Sequence, residues 1–254
     1  MAGSEAAIEI RQLFHLDEFE TVVQLQREIW GFAELELLPL RFLVVVSKVG
    51  GHVFGAFDGA RMIAFCFAIP GIKPGPMPYL HSHMLGVLPD YRNLAIGRRL
   101  KLVQKEDALA RGIKLIEWTF DPMELKNAFL NIEKLGAIIR RYHPNLYGST
   151  SSPLHGGLPT DRCYAEWWLG RERAKPNPTE RIAYPVNIGE IRSKDPGTAR
   201  EIQSRNGARF QQAFADGMAV TGFERTETEG IYLLEDSGGI GIPAGPGERR
   251  SPKE

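Results

Sequence analysis

Between Met84 and Ala110 the apolar period changes from that of a strand to that of a helix, with only a short turn between the two. Met84 to Leu88 form a continuous apolar run, and Pro89 and Asp90 end it. Arg92-Asn-Leu-Ala-Ile-Gly97 follows. Ile96, Leu100, Val103 and Ala110 then recur at helical spacing, with Arg99, Lys101, Lys105 and Asp107 as polar positions between them. Small residues at such a turn let the backbone come close to a ligand. The free N–H groups of the helix's first turn favour an anion, phosphate above all. Arg92, Arg98 and Arg99 add positive charge at the same place. The spacing is not a Walker A loop, because no Gly-Lys-Ser/Thr follows, and it is not a full G-x-G-x-x-G fingerprint.

The rest of the chain is an alternation of strand and helix patterns. Residues 8–13 read as a strand. Residues 17–30 read as a helix with Phe19, Val22, Leu25 and Ile29 on its apolar face and Gly31 as its stop. A second helix is expected over 40–47, behind Pro39. Strands over 52–57 and 61–69 are joined by Asp58-Gly59, a strong hairpin signal. Residues 70–78, rich in Pro and Gly, read as a loop leading into a strand at Tyr79. Further on, 114–120 is a strand, 123–135 a helix closed by Gly136, 137–139 a strand, and 163–169 a strand with Trp167 and Trp168 on opposite faces. This order predicts an α/β chain: a mixed sheet with helices on its faces.

The expected organisation is a main domain over 1–170, a polar linker over 171–180, and an appendage over 181–236 packed on the main domain. A disordered Gly/Pro-rich tail is expected over 237–254. Within the appendage, 182–191 reads as partly extended. Asp195-Pro196 and Thr198-x-x-Glu201 signal a helix start, and 218–223 with 230–234 form a hairpin.

At 254 residues with a formal net charge of 0, the chain shows no global attraction to nucleic acid or membrane. Cys66 and Cys163 both lie in apolar strand-like runs. They read as buried thiols of a reducing, cytoplasmic compartment. No secretory leader pattern is present, and no apolar run approaches the roughly 20 residues of a membrane span.

The turn resembles the pyrophosphate-binding motif of the GNAT acyltransferase superfamily, Gln/Arg-x-x-Gly-x-Gly/Ala. Arg92 matches the first position and Gly97 the last, while Ala95 stands where the family has its first glycine. A second segment, with Asn127, Lys134 and Gly136, resembles the family's Asn…Lys-x-Gly-Phe. Leu80-His-Ser-His-Met-Leu-Gly-Val87, Trp118-Thr-Phe-Asp-Pro122, Asn131 to Ala137 and Gly157 to Arg162 resemble a bacterial group of predicted GNAT acyltransferases. The resemblance covers roughly residues 7 to 170.

It implies the GNAT fold and an acyl-CoA co-substrate, acetyl-CoA or succinyl-CoA. It also implies an N-acyltransferase acting on a small amine, an amino acid by preference; the C-terminal appendage is open to two readings, a cover over the acceptor site or the contact of a homodimer. Leu85, Gly86 and Val87 would bond the pantetheine arm in a gap between the fourth and fifth strands. Asn93, Leu94, Ala95, Ile96 and Gly97, with Arg92 and Arg98, would hold the pyrophosphate, and Asn127 would line the arm. A backbone N–H near Leu85 would meet the oxyanion.

Acyl transfer from a thioester needs a neutral attacking amine and a stabilised leaving thiolate. His81 and His83, two apart on one strand, share a face. His83 is the candidate base, a structural histidine being the alternative. No third ligand is placed beside them, so no metal is expected. The family's tyrosine acid would fall at Ile132, which cannot serve. Tyr147 is a candidate replacement, or else a turn residue. Asp121 and Glu117, near the end of a strand, are candidates for binding the amine, and Arg162 and Arg141 for binding an acceptor carboxylate. Ala95 and Ile132 motivate the alternative, a GNAT domain that binds acyl-CoA or a partner without turnover.

Overall fold

A computed structural model describes residues 8–148, 150, 156–173 and 175–240. The chain runs β1 (Glu9–Gln12), α1 (Leu16–Trp30), α2 (Leu40–Lys48), β2 (His52–Asp58), β3 (Arg61–Lys73), β4 (Met77–Val87), α3 (Ile96–Ala110), β5 (Leu115–Phe120), α4 (Leu125–Phe129), β6 (Ile138–His143) and β7 (Arg162–Trp168). It continues with β8 (Glu180–Pro185), α5 (Ile188–Lys194), α6 (Pro196–Ala215), β9 (Met218–Arg225) and β10 (Glu229–Asp236). Among the described residues these strands form one sheet in the order β1-β2-β3-β4-β5-β7-β6-β9-β10-β8. Only β4 and β5 pair in parallel. The fold is thus a mixed α/β sheet.

Successive residues of β4 show which helices lie on which face. A Cβ on Gly86 would meet Trp30 and Ile29 of α1, whereas Gly97 of α3 sits against Leu85. Neighbouring strand residues point to opposite faces, so α1 packs on one face of β4 and α3 on the other. One core gathers α1, α2 and β2–β4 around Phe19, Phe65 and Phe67. A second gathers β5–β7 and the C-terminal elements around Trp118, Phe210 and Tyr232.

The C-terminal elements share this second core with the earlier strands. β9 pairs with β6 at Ile139↔Val220. The Tyr142 ring stacks on Phe210 of α6 with centroids 5.7 Å apart, and Tyr232 Oη donates to the Pro122 carbonyl at 2.7 Å.

Several sequence expectations change. Residues 70–78 are not a loop: β3 runs to Lys73, β4 starts at Met77, and only the turn between them is irregular. The prolines fit because β3 has lost its β2 neighbour beyond Ala68, so Pro70 faces an open edge where no N–H is needed. The helix expected over 123–135 is α4 followed by wide π-type turns over Leu130–Lys134. There Leu135 N–H reaches back to Leu130 O, and adjacent Asn131 and Ile132 are both buried. The stretch 182–191 is extended only to Pro185, and α5 begins at Ile188. Asp195, not Thr198, caps α6, accepting the Thr198 N–H at 3.0 Å. Of the tail, Ser237–Ile240 is a 3-10 turn. The remainder, and 149 and 151–155 of the loop before β7, lie outside the described residues.

Candidate functional site

β4 and β5 pair only at Leu80↔Ile116 and His81↔Glu117. Beyond that point β5 continues to Phe120, bonded to β7 on its far side, and β4 continues to Val87, bonded to β3 on its far side. The facing edges of Ser82–Val87 and Trp118–Phe120 therefore open as a wedge, with backbone N–H and C=O groups lining it. Such groups need partners, and an extended amide-bearing ligand supplies them. Leu85, Gly86 and Val87 lie on this open edge.

At the wide end of the wedge the chain makes the turn into α3. Asn93 and Ala95 both have positive φ, 68° and 57°. That alternation turns successive N–H groups inward as an anion-binding concavity. Among the described residues, no acceptor meets the N–H groups of Asn93, Leu94, Ala95, Ile96, Gly97 or Arg98, and the first helical bond is Arg99 N–H to Ala95 O. Ala95 caps α3 without a side-chain bond. Arg92 and Arg98 are exposed beside the turn, and Arg92 Nε bonds the Val87 carbonyl at 3.4 Å. Asn127, on α4, is exposed as well.

The face of the wedge turned towards α1 and α2 is polar. The register shift between Phe67↔Met84 and Ala68↔Ser82 makes His83 the extra residue of a bulge on β4. The His83 ring lies 5.5 Å from that of Phe67 and 5.9 Å from that of His81. His83 is exposed and His81 half-buried; partial desolvation by the surrounding chain lowers His83 and, with the neighbouring His83 adding to the effect, brings His81 to about 4. Both shifts favour the neutral imidazole, the form a base requires. Across the wedge, Tyr147 Oη lies 2.8 Å from Thr119 Oγ1 on β5, with the tyrosine half exposed. His81 pairs with Glu117, so His83 and Thr119 are both two positions further along; His83 and Tyr147 sit on opposite lips of one opening.

The floor beside them is ionic. Glu117 and Glu166, each 2% exposed, are paired across β5 and β7. Lys73 Nζ lies 2.7 Å from Glu117, Arg141 contacts the same carboxylate, and Arg140 lies 2.5 Å from Glu166. Burial brings Lys73 down to about 8, and Arg141 adds to the shift. Three cations thus face two carboxylates. Of these, sequence reasoning singled out only Glu117 and Arg141. The others carried one signal, isolated charges in otherwise apolar strands.

Asp121 is not open to an amine. It is buried, accepts the Met123 N–H at 2.8 Å, and pairs with Arg192 of α5 at 3.0 Å. Arg162 acts electrostatically on Asp121 and lies over the Tyr147 ring, its Cζ 5.4 Å from the centroid. Asp121 thus ties the end of β5 to α5, and Arg162 packs on the ring of Tyr147. Ile132 is fully buried.

No protein-family model matches the chain, and no curated protein sequence does. Solved structures do match. NAA60 of Arabidopsis thaliana, in complex with a bisubstrate analogue, aligns at a TM-score of 0.53 with 16% identity, over 65% of this chain and 100% of that one. A GNAT-family protein from Desulfovibrio desulfuricans aligns at 0.51 with 15% identity, over 64% and 99%. The ribosomal-protein-S18-alanine N-acetyltransferase of Escherichia coli aligns at 0.50 with 16% identity, over 67% and 97%.

Proposed function

We propose that this chain, which has the GNAT acyl-CoA N-acyltransferase fold, is an acyl-CoA-dependent N-acyltransferase that moves an acetyl or succinyl group to the amine of a small molecule, an amino acid. One observation carries the reading. The β4–β5 wedge and the run of free N–H groups from Asn93 to Arg98 lie at the two ends of one strand edge. From Ser82 to Val87 that edge spans about 17 Å at the usual rise of a strand, a track suited to a phosphate-terminated, amide-bearing arm.

In this reading the phosphates take the N–H groups with Arg92 and Arg98. The arm bonds Leu85 to Val87 and passes Asn127, and the thioester reaches the narrow end near His83. His83 takes the amine's proton. Tyr147 Oη lies on the opposite lip, beside the reacting group. Lys73 and Arg141, which meet Glu117 on the floor of the wedge, are the cations placed to take the carboxylate of an acceptor.

Calorimetry with acetyl-CoA and succinyl-CoA tests this, with Gly97→Glu as the control. Its Cβ enters the contact with Leu85, and its carboxylate opposes an anion. Binding by the wild type that is lost in the control is the expected result. No binding of either ligand by the folded wild type would sink the reading.

A further inference from the structure

Lys101 is one of the polar positions between the apolar residues of α3, yet it is 4% exposed. It lies one turn beyond Gly97, the residue of α3 that rests on Leu85, and so points along the same side of the helix. Its ammonium reaches the narrow end of the wedge. Nζ donates to Ser82 Oγ at 2.7 Å and lies 3.7 Å from the centroid of the Trp118 ring. Ser82 and Trp118 are the first residues past the last β4–β5 pair, His81↔Glu117.

The surroundings supply no counter-ion. Ser82 Oγ donates onward to Gln104 Oε1 at 3.0 Å, and Gln104 Nε2 meets His52 Nε2 at 3.1 Å. His52 Nδ1 is 2.7 Å from Asp107, which Arg111 also holds. Every proton in this chain points away from Lys101, so Ser82 can only accept from it. The titratable groups that feel its charge are Cys66 on β3, His52 on β2 and, from the other face of the sheet, His81 on β4, none of them a carboxylate. Among the described residues no carboxylate pairs with Lys101. A buried cation without an anion is costly, and the cost falls when an anion forms beside it.

We propose that Lys101 is the proton donor to the sulfur that leaves the acyl-CoA thioester. This rests on the acyl-transfer reading above. The amine nitrogen bonds the thioester carbon, the C–S bond breaks, and its electron pair stays on sulfur. Sulfur takes a proton from the Lys101 ammonium. The proton lost by the new amide nitrogen goes to the His83 imidazole on the opposite face of the sheet. Solvent exchange between turnovers restores both groups. Burial holds Lys101 down to about 7, so its proton is available to a thiolate at neutral pH.

The test is the dependence of kcat on pH in the wild type, Lys101→Met and Lys101→Arg, with CoA affinity measured by calorimetry beside it. In the wild type kcat should fall as pH rises through the ionisation of the Lys101 ammonium. Lys101→Met should remove that fall, leave affinity nearly unchanged, and reduce kcat by roughly 100-fold or more. Lys101→Arg, which keeps charge but gives up its proton poorly, should also remove the fall and still lose turnover. Should Lys101→Met fail to fold, Lys101→Gln takes its place.

A wild-type kcat that does not fall as pH rises, or that falls identically with and without Lys101, overturns the proposal while the acyltransferase reading stands. A folded wild type that binds no CoA removes both.

Discussion

Trp30 of α1 closes over Gly86 of β4 so tightly that a Cβ on Gly86 would lie 2.7 Å from its Cη2, with Ile29 Cδ1 at 2.8 Å. Gly86→Ala therefore forces α1 away from the strand. Overpacking of this kind costs about 1–3 kcal/mol, and denaturant unfolding should show a loss of that size. The displaced helix also shifts the lip of the wedge, so CoA binding should weaken in the same variant.

Ala95 holds a left-handed conformation that an L-residue other than Gly, Asn or Asp rarely adopts, at a cost of roughly 1–2 kcal/mol. Glycine relieves that strain but is more flexible when unfolded, which offsets part of the gain. Ala95→Gly should raise stability by about 0.5–1 kcal/mol in urea titration. It should leave CoA affinity equal or tighter, because the N–H groups keep their directions. A loss of stability would contradict the strained geometry.

Arg92 adds charge to the turn without burying itself, so its role is electrostatic. Arg92→Ala should weaken CoA binding about tenfold with little change in thermal midpoint. Raising the salt should shrink the difference between variant and wild type. Unchanged affinity would move the phosphates elsewhere.

Tyr147→Phe removes the hydroxyl that meets Thr119. The side chain is half exposed, so stability should change by less than about 1 kcal/mol. If the hydroxyl takes part in the reaction, kcat should drop about 10- to 100-fold with KM steady. A kcat equal to that of the wild type would reduce Tyr147 to a turn residue.

Glu133 ties the wide turns before β6 to both the linker and β9. It bonds Arg173 at 2.6 and 2.9 Å and accepts the Phe223 N–H at 2.7 Å. Desolvation works against the charged carboxylate, but the Arg173 and Phe223 bonds outweigh it and hold Glu133 below its usual 4.5. A depressed folded value means that the stabilisation is complete above the unfolded value and is lost as pH falls through the folded one. Glu133→Gln should cost about 1–2 kcal/mol near pH 7. The gap between variant and wild type should narrow below pH 4, and a gap independent of pH would refute the assignment.

Local pattern made the β2–β3 hairpin, α1, α3 and β5 legible, because each carries its own period and punctuation. Asp58-Gly59 needs no distant partner to specify a turn. Residues 70–78 were misread because proline normally breaks a strand, and only the absence of a β2 neighbour shows that Pro70 faces an open edge. The turn at Arg92–Gly97 was legible from charge and small residues. Lys101 was not: in sequence it is one of several polar residues on an amphipathic helix, and its burial follows from where β4 and β5 part. Asp121 failed for a similar reason, since its partner Arg192 lies 71 positions along the chain.

The insertion of β9 between β6 and β10 has a consequence for biosynthesis. When β6 and β7 have emerged from a ribosome, the outer edge of β6 is still bare. It stays so until Val220 arrives to pair with Ile139. A bare strand edge recruits other chains. The adjacent Arg140 and Arg141 place two like charges in that strand, and a second nascent copy aligned on it would have to bring its own pair against them. Charges that later line the floor of a cleft thus also protect the half-made sheet from its siblings on the same message.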